Sequence, residues 1–313
     1  MGRCGDLSVG VFRLVGMTLE RVRNWYWSLG KFDSIVVLLI ISISTLLFFR
    51  IPEIKYFKGI YFNETLQYSL IALAGLICVL IFKPPTLSYF GLPRVRGLGT
   101  LFIFIAIAVA AFDMSAGYDI KQPLRVKIAG VITIFSIGLA EEMISRVLIF
   151  GTLLRFGTRF AVLVSSLLFG LMHINVYLPD WSAWDAYWHV MMATGFGLLT
   201  CAIFIATRSY WVVVAFHALS DWTVVFDKKN TYGGEDYSPG ILEGLSWGVE
   251  SFAIEYGLLG LLLLFILRGR WPKWIIRLAI RWKLVEQAQE FKPSKSRWFR
   301  KETLAGLLTR SRK

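Results

Sequence analysis

The sequence predicts an all-α protein, a polytopic bundle of transmembrane helices. Of its 313 residues, 56 % are hydrophobic and only 18 % are charged, whereas soluble domains are about 45–50 % apolar and about 25 % charged. Its apolar residues form continuous runs, unlike the alternating pattern of transmembrane β-strands. The 24 Phe, 12 Trp and 12 Tyr exclude a disordered chain. Two of the three cysteines lie inside apolar runs, which excludes a disulfide scaffold.

Eight apolar runs are candidates for membrane-spanning helices, each of which needs about 20 mostly apolar residues. In chain order they are Ser34–Phe49, Leu66–Phe82, Leu98–Phe112, Ile128–Leu154, Phe160–Ile174, His189–Ala206, Tyr210–Phe226 and Gly248–Leu267. We therefore expect a bundle of about eight spans over residues 34–267. An even number of spans puts both chain termini on the same side.

Interfacial helices are predicted at both ends of this bundle. Residues 1–33 mix polar and apolar side chains, unlike a cleavable signal peptide, and Trp25 and Trp27 suit a helix at the membrane surface. Residues 268–313 hold 14 Lys/Arg and three Glu, and several Trp share one helical face, which predicts a basic amphipathic tail. A simple stop-transfer anchor is the alternative. We expect the tail to bind anionic lipids and no nucleic acid.

The distribution of Lys and Arg predicts the orientation. Counted over the predicted loops, basic residues are concentrated on the side that carries both termini. The positive-inside rule places that side in the cytoplasm. The expected location is the cell (plasma or inner) membrane.

Glu141, Glu142 and Arg146 lie within the fourth predicted span, in the run AEEMISR. An ionisable side chain at this depth costs at least about 2.5–3.5 kcal/mol, so it needs a reason to be there. Helical spacing makes Glu142 and Arg146 an i, i+4 pair that can form a salt bridge. Glu141 lies about 100° further around the helix and has no obvious charged partner on its own helix.

His173, His217 and Asp221 lie within two further spans, in the runs FGLMH and HALSD. Measured from one membrane face at about 1.5 Å per residue, Glu141 and His173 are roughly 20 Å deep. His217 and Asp221 are roughly 12 and 18 Å deep on the same scale. These similar depths predict that three helices bring the four groups to one cavity.

This set of groups suits two kinds of chemistry. Two histidines and a glutamate can hold zinc, although the H-E-x-x-H spacing of zinc proteases is absent. Without a metal, a buried glutamate can activate water, and imidazoles can donate hydrogen bonds to the oxyanion formed at a peptide carbonyl. Purely structural roles are the remaining alternative, as an ion pair for Glu142 with Arg146 and as buried hydrogen bonds for the histidines.

The three runs, taken together and in this order, resemble the signatures of the CPBP (CAAX protease and bacteriocin-processing, or Abi) family. EEMISR is similar to its EExxxR motif, FGLMH to FxxxH, and HALSD to HxxxN/D. The resemblance covers about 128–226, which is therefore the expected catalytic core, and it implies a metal-independent intramembrane glutamic endopeptidase without a cofactor. By that resemblance Glu141 activates water, assisted by Glu142 and held by Arg146, while His173, His217 and Asp221 position water and stabilise the oxyanion. Ser145 departs from the Phe that commonly precedes the arginine.

The resulting hypothesis is an enzyme that cleaves a membrane-anchored or prenylated (CAAX-type) protein substrate. A transporter or proton pathway is one alternative, because buried Glu, His and Arg also suit proton movement. It is disfavoured because no paired repeats or Gly/Pro-broken helices are visible. A non-catalytic immunity or scaffold member of the same family is the other alternative, and the retained acid and histidines argue against it.

Overall fold

The computed structural model describes residues 18–48, 62–91, 98–115, 123–174, 183–222, 226 and 241–267. Within these ranges the chain is helical and contains no strand, so the all-α prediction is confirmed there. The basic tail at 268–313 and the first 17 residues of the N-terminal segment lie outside the described residues. The predictions made for them therefore stay predictions.

The helices follow the predicted apolar runs. They are α1 (18–28), α2 (Lys31–Phe48), α3 (Phe62–Phe82), α4 (Leu98–Ser115), α5 (Leu124–Phe156), α6 (Thr158–Met172), α7 (Ala183–Thr207), α8 (Tyr210–Ser220), α9 (Ile241–Glu250) and α10 (Leu258–Leu267). A 3₁₀ helix at Pro85–Phe90 follows α3, and π-helical geometry joins α9 to α10 at Ser251–Gly257.

Only some of these helices have the length and composition of a membrane span. In the described part of the chain, α3, α5 and α7 are long and apolar enough to cross a membrane, and α9 with α10 would make a fourth span if the bent pair is counted as one. The eight predicted spans are thus not confirmed, although each predicted run contains a helix. Two helices end before the sequence predicted, α6 at Met172 and α8 at Ser220.

The centre of the bundle is α5, which packs against α3, α6 and α8, while α7 packs against α4, α6 and the α9–α10 pair. Every residue of α5 from Met143 to Leu154 is buried. At one end of the bundle, polar side chains tie helix ends together. The Trp27 indole donates to the Phe82 carbonyl at 2.9 Å, and Arg155 donates to Tyr26 O and Ser34 Oγ at 2.9 and 2.5 Å.

Candidate active site

Glu141 and Glu142 lie where the geometry of α5 changes. The helix is α-helical up to Glu142 and π-helical from Met143 to Phe150. Single π-helical turns are rare and are frequently found at functional sites. The widened turn carries Arg146 and begins directly after the two acids.

The predicted ion pair between Glu142 and Arg146 is present. Arg146 Nε lies 3.1 Å from Glu142 Oε2, and both side chains are completely buried. The guanidinium also stacks on the Phe169 ring of α6, 4.9 Å from its centroid. A buried charge is tolerated only when it is paired and hydrogen-bonded. The two charges are paired with each other, but Glu142 Oε2 and Arg146 Nη1 have no hydrogen-bond partner among the described residues.

Thr200 supplies the remaining support for Arg146, from α7. Its Oγ1 accepts a hydrogen bond from Arg146 Nε at 2.9 Å and a second one from Nη2. The hydroxyl donates in turn to the Phe196 carbonyl at 2.9 Å within its own helix. Sequence reasoning gave α7 no role and missed Thr200, because a hydroxyl inside an apolar helix usually bonds only to its own backbone.

His217 connects the buried ion pair to the other site residues. Its Nδ1 lies 2.8 Å from Glu142 Oε1, while its Nε2 lies 3.6 Å from Glu141 Oε2 and 3.4 Å from Asp221 Oδ2. Asp221 lies four residues after His217, a spacing that also allows it to orient this imidazole. The shorter contact is with Glu142, which fixes the proton on Nδ1 because a carboxylate can only accept.

A glycine lets α8 come close enough for that contact. A Cβ at Gly138, one turn before Glu142, would lie 3.0 Å from the Val214 carbonyl of α8 and 3.6 Å from the His217 Cβ. Any larger residue would push the two backbones apart. The short distance between Glu142 and His217 therefore depends on the absence of a side chain at Gly138.

His173 approaches Glu141 from α6. Its Nδ1 donates to the Phe169 carbonyl at 2.8 Å, and its Nε2 lies 3.5 Å from Glu141 Oε2. The Nε2 atoms of His173 and His217 thus face the same carboxylate oxygen. An Nε2 atom without a proton and the carboxylate oxygen are both hydrogen-bond acceptors, and they repel each other unless a proton or a water molecule lies between them. This arrangement is therefore suited to a shared proton.

His173 and Asp221 are the C-cap residues that directly follow α6 and α8, which both end earlier than predicted. The His173 N–H bonds to Gly170 O at 2.9 Å, and the Asp221 N–H bonds to His217 O at 3.0 Å. Backbone can leave helical geometry at membrane depth where it lines a cavity. The two helix ends face the same group of acids, as such a cavity requires.

Exposure separates the site residues into two groups. The side chains of Glu142 and Arg146 are completely buried, and His217 is only 4 % exposed. Glu141 is 14 %, Asp221 24 % and His173 26 % exposed. Glu141 is the more accessible of the paired acids, and its Oε2 has no hydrogen-bond partner among the described residues.

In the zinc alternative, the side chains of His173, His217 and Glu141 would all bind one metal ion. In the arrangement found here, no three His, Cys, Asp or Glu side chains of the described ranges form a group that could hold a metal ion. The two imidazole Nε2 atoms instead point at one carboxylate oxygen.

Residues 123–223 match the family model described as "Type II CAAX prenyl endopeptidase Rce1-like". The match covers about a third of the chain. The matched segment contains Glu141, Glu142, Arg146, both histidines and Asp221, and it supports the resemblance stated from the sequence motifs. Together with the long apolar helices, this match indicates a membrane protein. No curated protein matches the chain.

Proposed function

We propose that this protein is an intramembrane endopeptidase in which Glu141 activates a water molecule without a metal. The proposed substrate is a membrane-anchored protein with a prenylated, CAAX-type C-terminus. We further propose that the helices cross the membrane eight times, with both termini in the cytoplasm. The observation that carries the mechanism is the position of Glu141 Oε2, which lies 3.5 and 3.6 Å from the Nε2 atoms of His173 and His217.

In the proposed reaction Glu141 acts first as a base. It takes a proton from water, and the resulting hydroxide adds to the carbonyl carbon of the scissile peptide bond. An imidazole that is protonated on both ring nitrogens keeps its Nδ1 hydrogen bond and donates a second one from Nε2 to the developing oxyanion, which is the charge that most needs stabilisation. The tetrahedral intermediate then collapses and its C–N bond breaks, while the protonated Glu141 gives its proton to the leaving amine and returns to the carboxylate.

The other charged groups support this cycle without touching the substrate. Glu142 holds His217 through Nδ1, and Arg146 neutralises Glu142 inside the bundle. Glu141 contacts no arginine or lysine among the described residues, since Arg146 contacts the neighbouring acid. This division favours Glu141 over Glu142 as the base, because the two oxygens of the fully buried Glu142 are already engaged by Arg146 and His217.

The distribution of basic residues supports the proposed orientation. They are concentrated where α3, α5 and α7 have their C-termini. Seven described basic residues lie at that end, and they are Arg21, Arg23, Lys31, Lys83, Arg155, Arg159 and Arg208. At the opposite end, the start of α5 carries Arg125 and Lys127. Cytoplasmic loops carry the excess of Lys and Arg.

A cleavage assay on the full chain tests the function. Purified protein in lipid nanodiscs is mixed with a farnesylated peptide ending in a CAAX sequence, with the same peptide lacking the lipid, and with a panel of single-span membrane peptides. We expect release of a C-terminal tripeptide from the farnesylated peptide, detected by mass spectrometry. Absence of peptide-bond hydrolysis with every substrate would contradict the proposal, and cleavage of only the unlipidated peptides would contradict the prenylated substrate class.

A further inference from the structure

A groove of about 590 Å³ lies between α1 and the last turns of α3, outside the active site. Its walls are mostly apolar, with Leu19 from α1 and Ile77, Leu80 and Ile81 from α3. Leu19, Ile77 and Leu80 are among the exposed large hydrophobic residues. The apolar wall therefore runs along the outer surface of the bundle, where lipid chains would meet it.

Charged side chains close one end of this groove. Arg23 and Lys83 supply two cations, and Glu20 supplies one carboxylate, 3.3 Å from Arg23. The groove thus combines a net charge of +1 with an apolar wall. That combination is complementary to a lipid with one negative charge on its headgroup.

The backbone conformation at Lys83 is unfavourable for a residue that has a side chain. Lys83 has φ of +48°, in the left-handed region where helices normally end on glycine. The turn is fixed by the Lys83 N–H bond to Val79 O at 2.8 Å and by the Trp27 indole, which donates to the Phe82 carbonyl. A glycine would fit this backbone better, so the backbone conformation does not require the lysine side chain.

We propose that the groove binds one anionic glycerophospholipid. Its acyl chain lies along Ile77, Leu80 and Leu19, and its phosphate lies between Lys83 and Arg23. The neighbouring Trp25 and Trp27 place this end of α3 at headgroup level, since tryptophan is enriched at membrane interfaces. The site is separate from the basic tail and does not depend on the proposed protease activity.

The test uses the full chain and two matched variants. Lys83→Gly removes one cation and suits the left-handed backbone, and Arg208→Gly does the same at the end of α7, where φ is +49°. Both variants keep the basic tail. Binding of phosphatidylglycerol is titrated in neutral detergent micelles by native mass spectrometry and by the lipid-dependent shift in melting temperature.

We expect Lys83→Gly to weaken phosphatidylglycerol binding about fivefold, the equivalent of about 1 kcal/mol per basic residue at an anionic surface. Arg208→Gly and Lys83→Arg should bind as the wild type does. Phosphatidylcholine and soluble glycerol 3-phosphate should give no shift, because the first lacks net charge and the second lacks the chain. Equal loss in both glycine variants, no loss in either, or stabilisation by glycerol 3-phosphate alone would overturn the proposal.

Discussion

Replacing Thr200 with valine should lower turnover, although its helix, α7, carries none of the motif residues. Valine keeps the shape of the side chain and removes the hydroxyl that accepts from Arg146 Nε at 2.9 Å. A hydrogen bond to a charged group contributes about 1.5–3 kcal/mol, and the guanidinium is buried where water cannot replace the lost partner. Arg146 Nη1 already lacks a hydrogen-bond partner among the described residues, so the change leaves the charge still less satisfied.

The lost hydrogen bond affects the reaction because Arg146 pairs with Glu142, which in turn contacts His217. If about 1–2 kcal/mol of the loss appears in the transition state, turnover falls about 5- to 30-fold. Thr207→Val is the matched control, because Thr207 lies on the same helix and is equally buried. Among the described residues, its hydroxyl donates only within that helix, to the Ile203 carbonyl at 2.8 Å. Subtracting its effect removes the contribution of the intrahelical bond that both threonines make.

The assay compares kcat, KM and the pH dependence of kcat for the two valine variants and for Thr200→Ser. We expect a lower kcat and a displaced pH profile for Thr200→Val, because His217 is no longer held in place through Glu142. Thr200→Ser keeps the hydroxyl and should rescue both. Equal turnover and equal pH profiles in Thr200→Val and Thr207→Val would refute the link from α7 to the site.

Further changes have distinct expected outcomes. Arg146→Ala should lower the melting temperature as well as activity, since removing one partner of a buried pair costs about 3–5 kcal/mol. Glu142→Gln should be milder than loss of Glu141, with kcat reduced but measurable. Strong chelation and dialysis should leave turnover unchanged, and stoichiometric zinc whose removal abolishes activity and whose return restores it would contradict a glutamate mechanism. A synthetic 270–313 peptide should bind anionic vesicles more tightly than neutral ones, and equal binding would remove the electrostatic part of that prediction.

Much of the site follows from local sequence spacing. Glu142 and Arg146 are four residues apart on one helix, so their ion pair depends on little beyond helical geometry. The shared position of Glu141, His173 and His217 follows from counting depth along three helices. These features were predictable because a membrane restricts each helix to one direction and one range of depths.

The parts that escaped prediction depend on tertiary packing. Thr200 acquires its role only because α7 packs where Arg146 can reach it. The contact of Glu142 with His217 depends on a close approach at Gly138, and spacing alone suggested Asp221 as the partner. Hydrophobicity continues past Met172 and Ser220, so composition gave no sign that both helices end at the site.

The most direct test of the central claim is turnover by Glu141→Gln. Glutamine keeps the size of the side chain and its capacity for hydrogen bonding, but it cannot take a proton from water. Glu250→Gln, at an exposed position of α9, is the control for the same chemical change away from the site. With melting temperatures measured beside turnover on the farnesylated peptide, we expect folded but inactive Glu141→Gln and fully active Glu250→Gln. Wild-type turnover in Glu141→Gln would contradict the glutamate-activated water and with it the proposed mechanism.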